Sequence, residues 1–215
     1  MYISFSRIKE HYMHIPTCET QKVSILTFED ALKHNDESAV YDRSKWTYVP
    51  DFYSEYRYIL GTVGKRPLIT IGINPSTAEP DNLDNTLKSV ERIAKGNGFD
   101  SFIMFNVYAQ RATNPDHMDK ELNEALHAEN MKAFRYVLER AGDEPAIWAA
   151  WGAIVEKRAY LKRCLADMVR EGDAFGAKWY MAGKPSIKGH PHHPLYLRKD
   201  SIIEDFDMEA YLMKI

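Results

Sequence analysis

Residues 67–78, Pro-Leu-Ile-Thr-Ile-Gly-Ile-Asn-Pro-Ser-Thr-Ala, narrow the possible folds of this chain more than any other stretch. Leu68-Ile69-Thr70-Ile71 is short, apolar and β-branched, the composition of a strand buried on both faces of a parallel sheet. The run then changes character. Gly72 permits a turn or a close backbone approach, and Asn74 brings an amide that both donates and accepts hydrogen bonds. Pro75 stiffens the loop, and Ser76 or Thr77 can cap a following helix. A strand that opens through a polar turn onto a helix is where α/β sheets hold ligands, outside the carboxyl ends of the strands. The plain alternative is a well-capped connection with no chemistry.

The same pattern recurs downstream. Ser101–Asn106, Ala146–Trp151 and Lys178–Ala182 read as further strands, the first of them again ending in asparagine. Between them lie helical periods over about 84–95, 120–140 and 155–170; in the first, Leu87, Val90, Ile93 and Ala94 share a face, and Gly96 and Gly98 stop it. Strands alternating with helices predict an α/β fold, a three-layer α/β/α arrangement around a mostly parallel four-stranded central sheet. Right-handed crossovers then bring every strand's carboxyl end to one edge. The aromatic run Tyr53–Leu60 is expected to form a hairpin with the 68–71 strand through the turn at Gly61–Arg66. Residues 1–50, with weak apolar clusters at Val23–Phe28 and Val40–Tyr48, are expected to form an N-terminal extension packed on the core. Residues 51–215 make the α/β domain.

Charge and composition exclude some classes. A net charge of -3 argues against holding nucleic acid by bulk electrostatics, though Lys184, Lys188, Arg198 and Lys199 make a local basic rim. Two cysteines, Cys18 and Cys164, match no metal spacing and fit a reducing cytoplasm. No apolar run resembles a signal peptide or a membrane span, so a cytoplasmic protein without membrane contact is expected. Oligomeric state is left open.

The predicted strand edge collects Asn74, Asn106, Trp151-Gly152 and the loop Gly189-His190-Pro191-His192-His193-Pro194-Leu195-Tyr196. Two His-Pro pairs make that loop stiff, which suits an imidazole held in one orientation. The alternatives are a structural turn with surface histidines, or a metal site built from His190, His192 and His193. The latter lacks the usual ligand spacings, so no metal or cofactor is expected. Asn106 can read the donor and acceptor edge of a nucleobase, or else satisfy turn backbone. Arg111 can pair with a phosphate or form a surface salt bridge. Phe105 and Tyr108 read as core and rim, with base stacking as the alternative. Trp151 packs under the loops, and Asp84 and Thr86 cap their helix.

Several blocks occur together and in order: Asn74-Pro75-Ser76-Thr77-Ala78, Asp84 with Thr86, Asn106 with Arg111-Ala112-Thr113, Glu129-Asn130, Ala150-Trp151-Gly152, and Gly189-His190-Pro191 with His193-Pro194-Leu195-Tyr196. Over roughly 56–197 the chain resembles an uncharacterised bacterial and phage family of unknown function. It is also similar, more distantly, to the uracil-DNA glycosylase superfamily. Gly72-Ile73-Asn74-Pro75 resembles that superfamily's water-positioning motif, Phe105-Asn106-Val107 its base-reading strand end, and His190-Pro191 its His-Pro motif. Where the superfamily continues with Leu-Ser, this chain has His192-His193-Pro194-Leu195, with Leu195 in place of the DNA wedge. The resemblance implies hydrolysis of an N-glycosidic bond in nucleic acid or a nucleotide. Asn74 and His190 would be catalytic, and Asn106, Ser76, Thr77, Tyr108, Arg111 and His193 would bind substrate. A non-catalytic nucleic-acid or nucleotide-binding module, or a metal-dependent hydrolase, are the competing expectations.

Overall fold

A computed structural model describes residues 19–215. Its main elements in chain order are α1 (Phe28–Lys33), β1 (Trp46–Val49), β2 (Ile59–Thr62), β3 (Pro67–Gly72), α2 (Asn85–Gly96), β4 (Ser101–Asn106), α3 (Glu124–Arg140), β5 (Ala146–Ala149), α4 (Ala159–Ala174), β6 (Lys178–Ala182), β7 (Ile203–Asp205) and α5 (Met208–Leu212). Part of the expected N-terminal extension, residues 1–18, lies outside the described residues.

The sheet has seven strands in the order β1-β2-β4-β3-β5-β6-β7. Its centre is the expected parallel block: β3 pairs in parallel with β4 on one side and β5 on the other, and β5 pairs in parallel with β6. The four-stranded sheet expected from the sequence is therefore the middle of a larger, mixed one. β1 and β2 add an antiparallel hairpin beside β4, and β7 adds an antiparallel strand beside β6. The expected hairpin of Tyr53–Leu60 with the 68–71 strand does not form. Both edges of β3 are taken by β4 and β5, so β2 pairs with β4 and β1 instead.

Alternation along the strands builds two apolar layers. Ile69 and Ile71 of β3 point into one layer with Phe105, Ile147 and the inner faces of α3 and α4, including Leu126, Phe134, Leu161 and Leu165. Leu68 points the other way, with Phe102, Met104 and Trp148, against Leu87, Val90 and Ile93 of α2. Each such aliphatic side chain contributes about 1.5–3 kcal/mol by leaving water.

Helix boundaries follow local chemistry. Asp84 caps α2, its carboxylate accepting from Leu87 N at 2.8 Å. The second helix begins at Glu124 rather than near 120, because Asn123 supplies the cap by accepting from Leu126 N at 3.2 Å. The third was expected from 155; in its place a 3-10 turn spans Gly152–Glu156, and α4 runs from Ala159 past Arg170 to Ala174. Gly152 has φ +63°, a left-handed conformation that ends the strand direction and that a side chain would strain.

Candidate functional site at the carboxyl edge of the parallel strands

The loops that leave β3 and β4 run side by side. Their pairing continues past the strands through Val107 N to Gly72 O, Tyr108 N to Ile73 O and Ala112 N to Pro75 O, each 2.9 Å. Asn74 sits on this seam. Its amide nitrogen donates to Ala112 O at 2.6 Å and Pro75 O at 2.9 Å, so its Oδ1 is the atom left for other partners.

Asn106 ends β4 fully buried, and neither Oδ1 nor Nδ2 has a hydrogen-bond partner. Its register partner is Gly72, and a Cβ at Gly72 would stand 2.5 Å from Met104 Cε and 3.2 Å from Asn106 Oδ1. The glycine is what gives the amide its space. Asn130 of α3 donates from Nδ2 to the Asn106 carbonyl at 3.0 Å, fixing the backbone while the Asn106 side chain stays unengaged. By strand alternation that side chain lies on the face covered by α2, like Met104 and Phe102. Helix α2 crosses back between β3 and β4, so its first turn, with Asp84, stands at the same edge as Asn106.

Two arginines clamp the 74–78 loop from beneath. Arg111 is buried and donates to the Ser76 carbonyl, to Ala78 O at 3.4 Å and to the Tyr48 hydroxyl at 2.8 Å, with its guanidinium 4.6 Å from the Tyr53 ring centre. Arg57 is also buried and donates to Ala78 O at 3.0 Å. Burial, with the Arg111 charge beside it, pushes the Arg57 guanidinium down to about 9. Burial pushes the Tyr48 phenol up to about 12. Ser76 and Thr77 are half-buried on top of the loop, with Ser76 Oγ 3.5 Å from Thr113 Oγ1.

The histidine loop leaves β6 and folds back over β5. Ser186 N to His190 O (2.9 Å) and Gly189 N to Ser186 O (2.7 Å) close a tight turn. A Cβ at Gly152 would lie 3.6 Å from His193 Cβ, so this glycine is the floor beneath His193. Ser89 of α2 donates to Pro194 O at 2.9 Å and ties the loop to the helix.

The two histidines differ. His190 is buried; its Nδ1 is 2.8 Å from the Tyr211 hydroxyl, which accepts from Trp151 Nε1 at 2.9 Å. Burial raises the Tyr211 phenol to about 12, which keeps it protonated and able to donate. His190 Nε2 stands 3.4 Å from Glu156 Oε1, a long and poorly directed approach that leaves the nitrogen without a hydrogen bond. His193 is half-buried, and its Nδ1 accepts from Leu195 N at 3.3 Å. In the neutral ring the proton is therefore on Nε2, which has no hydrogen bond among the described residues. Burial holds the His193 imidazole below its usual range, while the Asp84 carboxylate opposes the shift.

The structure thus brings Asn74, Ser76, Thr77, Asn106, Arg111 and the histidine loop to one sheet edge. Tyr108 stands apart, fully buried with its hydroxyl donating to Asp119 Oδ2 at 2.7 Å. A cavity of about 680 Å³ opens elsewhere, between Gln21 and residues 116–121. Sequence reading did not single out Arg57, Glu156 or Tyr211. A charged residue inside the aromatic run Tyr56-Arg57-Tyr58 was a signal for the first; nothing local marks the other two. Among the described residues no group of three or more His, Cys, Asp or Glu side chains is placed to hold a metal ion. No described helix is long and apolar enough to cross a membrane.

Fold and site together define a mixed α/β protein that gathers amides, arginines and histidines where its parallel strands end. The chain belongs to the family described as Protein of unknown function (DUF1643), whose model matches residues 57–195. The match takes in Arg57, Asn74, Asp84, Asn106, His190 and His193. No curated protein and no solved structure matches the chain.

Proposed function

We propose that the protein binds a nucleobase at the carboxyl edge of β3 and β4 and hydrolyses its N-glycosidic bond. The observation that carries this reading is Asn106. A fully buried amide with both donor and acceptor unpartnered is rare, since leaving such groups unmet costs about 1–3 kcal/mol each. A nucleobase edge presents an adjacent donor and acceptor that match it.

The chemistry asks for a held water, a donor to the departing base, and tolerance of positive charge at the sugar. Asn74 Oδ1 accepts a hydrogen bond from water while its nitrogen is fixed to the backbone. A histidine N–H of the 190–193 loop faces the charge that develops on the leaving base. The 74–78 loop keeps its shape through Arg57 and Arg111. The similarity to uracil-DNA glycosylases drawn from the sequence motifs enters as support for this reading alone.

A polymeric substrate is favoured over a free nucleoside by one surface feature. Ile187, Leu195 and Tyr196 are exposed apolar side chains on the histidine loop, with Lys184 and Lys199 exposed nearby. Apolar side chains beside cations suit a strand whose base is turned out of the stack. The reducing cytoplasm is the setting this reading takes, with Cys164 a buried free thiol.

Incubation with single- and double-stranded oligonucleotides carrying uracil, hypoxanthine or mismatches, and with free nucleosides and nucleotides, tests the proposal by base release. Release that is lost in Asn106→Ala supports it. Salt-dependent binding without release from any substrate replaces it with a binding module.

A further inference from the structure

We propose that Arg57, Arg111 and Tyr48 form a binding site for a phosphate group, set beneath the 74–78 loop and covered by the Tyr53 ring. The site does not depend on base cleavage: phosphate binding and base release are separate measurements, and either can fail alone.

A short ladder outside the main strands brings the two arginines together. Arg57 N donates to Ala109 O at 2.9 Å, Arg111 N donates to Glu55 O at 2.8 Å, and Tyr56 bridges Gln110 between them. Alternation then sends Tyr56 and Gln110 to one face and Arg57 and Arg111 to the other. The two guanidiniums meet on a single acceptor, Ala78 O, at 3.0 Å from Arg57 and 3.4 Å from Arg111. Positive charge is left over there. Arg57 and Arg111 are 1% and 3% exposed, and their hydrogen-bond partners are all neutral: the Ala78 and Ser76 carbonyls and the Tyr48 phenol. Asp84 and Glu79 act on Arg57 only at longer range. Two guanidiniums taken from water without a counter-ion are a costly arrangement, and an anion relieves it.

Hydrogen-bonding capacity is left over too, and all of it is donor. Arg57 spends Nη1 on Ala78 O, while its Nε is buried without a partner and its Nη2 makes no hydrogen bond among the described residues. Those two N–H groups form the fork edge of the guanidinium, the edge that grips an anion bidentately. Arg111 Nε is likewise buried and unpartnered. The Tyr48 hydroxyl accepts from Arg111 Nη2 at 2.8 Å, which leaves its own O–H free of any acceptor among the described residues. Burial pushes that phenol up to about 12, so the proton stays in place to be donated.

An acceptor with more than one negative charge answers both surpluses. Water carries no charge and brings donors of its own. A carboxylate neutralises one guanidinium and leaves the second. A phosphate dianion offers several acceptor oxygens and charge for both. The way in is past Tyr53. Its ring lies 4.6 Å from the Arg111 guanidinium and is 43% exposed, so it covers the buried cation on the solvent side. Rotation of that one side chain uncovers the guanidinium face without moving the loop.

Calorimetric titration of the full chain with inorganic phosphate, ribose 5-phosphate and ribose, at an ionic strength held constant with chloride, tests the site with ligands that carry no base. Saturable binding of both phosphate ligands, a melting temperature that rises with their concentration, and no response to ribose are the expected results. Equal affinity for the two supports a site for free phosphate, and tighter ribose 5-phosphate supports a site for a phosphate ester. Arg57→Lys keeps a cation but loses the fork edge, and should bind phosphate at least about 10-fold more weakly. In the wild-type protein the Nε–H proton signals of Arg57 and Arg111 should shift as phosphate is added, a reading that needs no variant to fold. No saturable response to either phosphate ligand overturns the proposal. So does a folded Arg57→Lys with wild-type affinity, ribose bound as tightly as its phosphate, or unmoved Nε–H signals at saturating phosphate.

Discussion

Asp119 and Asn106 are two buried polar side chains joined by a single stretch of chain after β4, and they are treated oppositely. The Asp119 carboxylate is surrounded by donors: Tyr108 hydroxyl at 2.7 Å, Thr20 N at 3.0 Å, Gln110 Nε2 at 3.2 Å, and the Thr20 hydroxyl. Asn106 has none for either atom of its amide. The first arrangement joins the segment near residue 20 to the loop before α3 and has no capacity left for a ligand. The second keeps its capacity unspent at the edge where the loops meet. Burial alone does not mark a binding residue; burial with unmet hydrogen-bonding demand does.

Mutations can break that contrast. Asp119→Ala strips the acceptor from several buried donors and should lower unfolding free energy by about 3 kcal/mol in urea titration. A loss below about 1 kcal/mol would mean the cluster is no structural anchor. Trp151→Phe removes one donor from the Tyr211 hydroxyl and shrinks a buried ring, for a loss of about 2 kcal/mol in the same measurement. Asn106→Leu should change stability by less than about 1 kcal/mol, or raise it, because no protein hydrogen bond is lost and a desolvated amide is replaced by an apolar group. Nucleobase binding by calorimetry should drop at least about 10-fold in that variant. A strongly destabilised Asn106→Leu would put Asn106 in the same class as Asp119.

The smallest effect concerns pH. The His193 pKa is lowered by burial in the folded protein, so the unfolded chain takes up its proton first as the medium is acidified. The stability this contributes is present above the unfolded value of about 6.5 and is lost as pH falls through the folded value. Wild type should therefore lose slightly more stability than His193→Gln between pH 7 and 5, measured by paired urea titrations.

The parallel core was readable because its strands are short runs rich in β-branched or aromatic residues, and burial on two faces leaves that composition little choice. Asn74 and Asn106 were readable for the same reason: they are the first polar side chains after a buried run. Asp84 was legible as a cap from local chemistry. Its influence on His193 was not, since more than a hundred residues separate them. Pairing choice is equally non-local. Nothing in Tyr53–Leu60 says that β3 has no edge to spare, and Ile203–Asp205 is too short, and too charged at Glu204 and Asp205, to announce a strand. Tyr211 carries no mark of its role because its partners, Trp151 and His190, come from two other loops.

The Tyr211 contact also sets an order of events. Of the groups around His190, it is the last to leave the ribosome, so an emerging chain can lay down the whole parallel block, with Glu156 already made, before the hydroxyl that meets the imidazole's Nδ1 exists. The turn itself closes through bonds within residues 186–190, and only the ring's Nδ1 waits for α5, so a nascent polypeptide halted before it would carry the strand-end asparagines without that hydrogen bond.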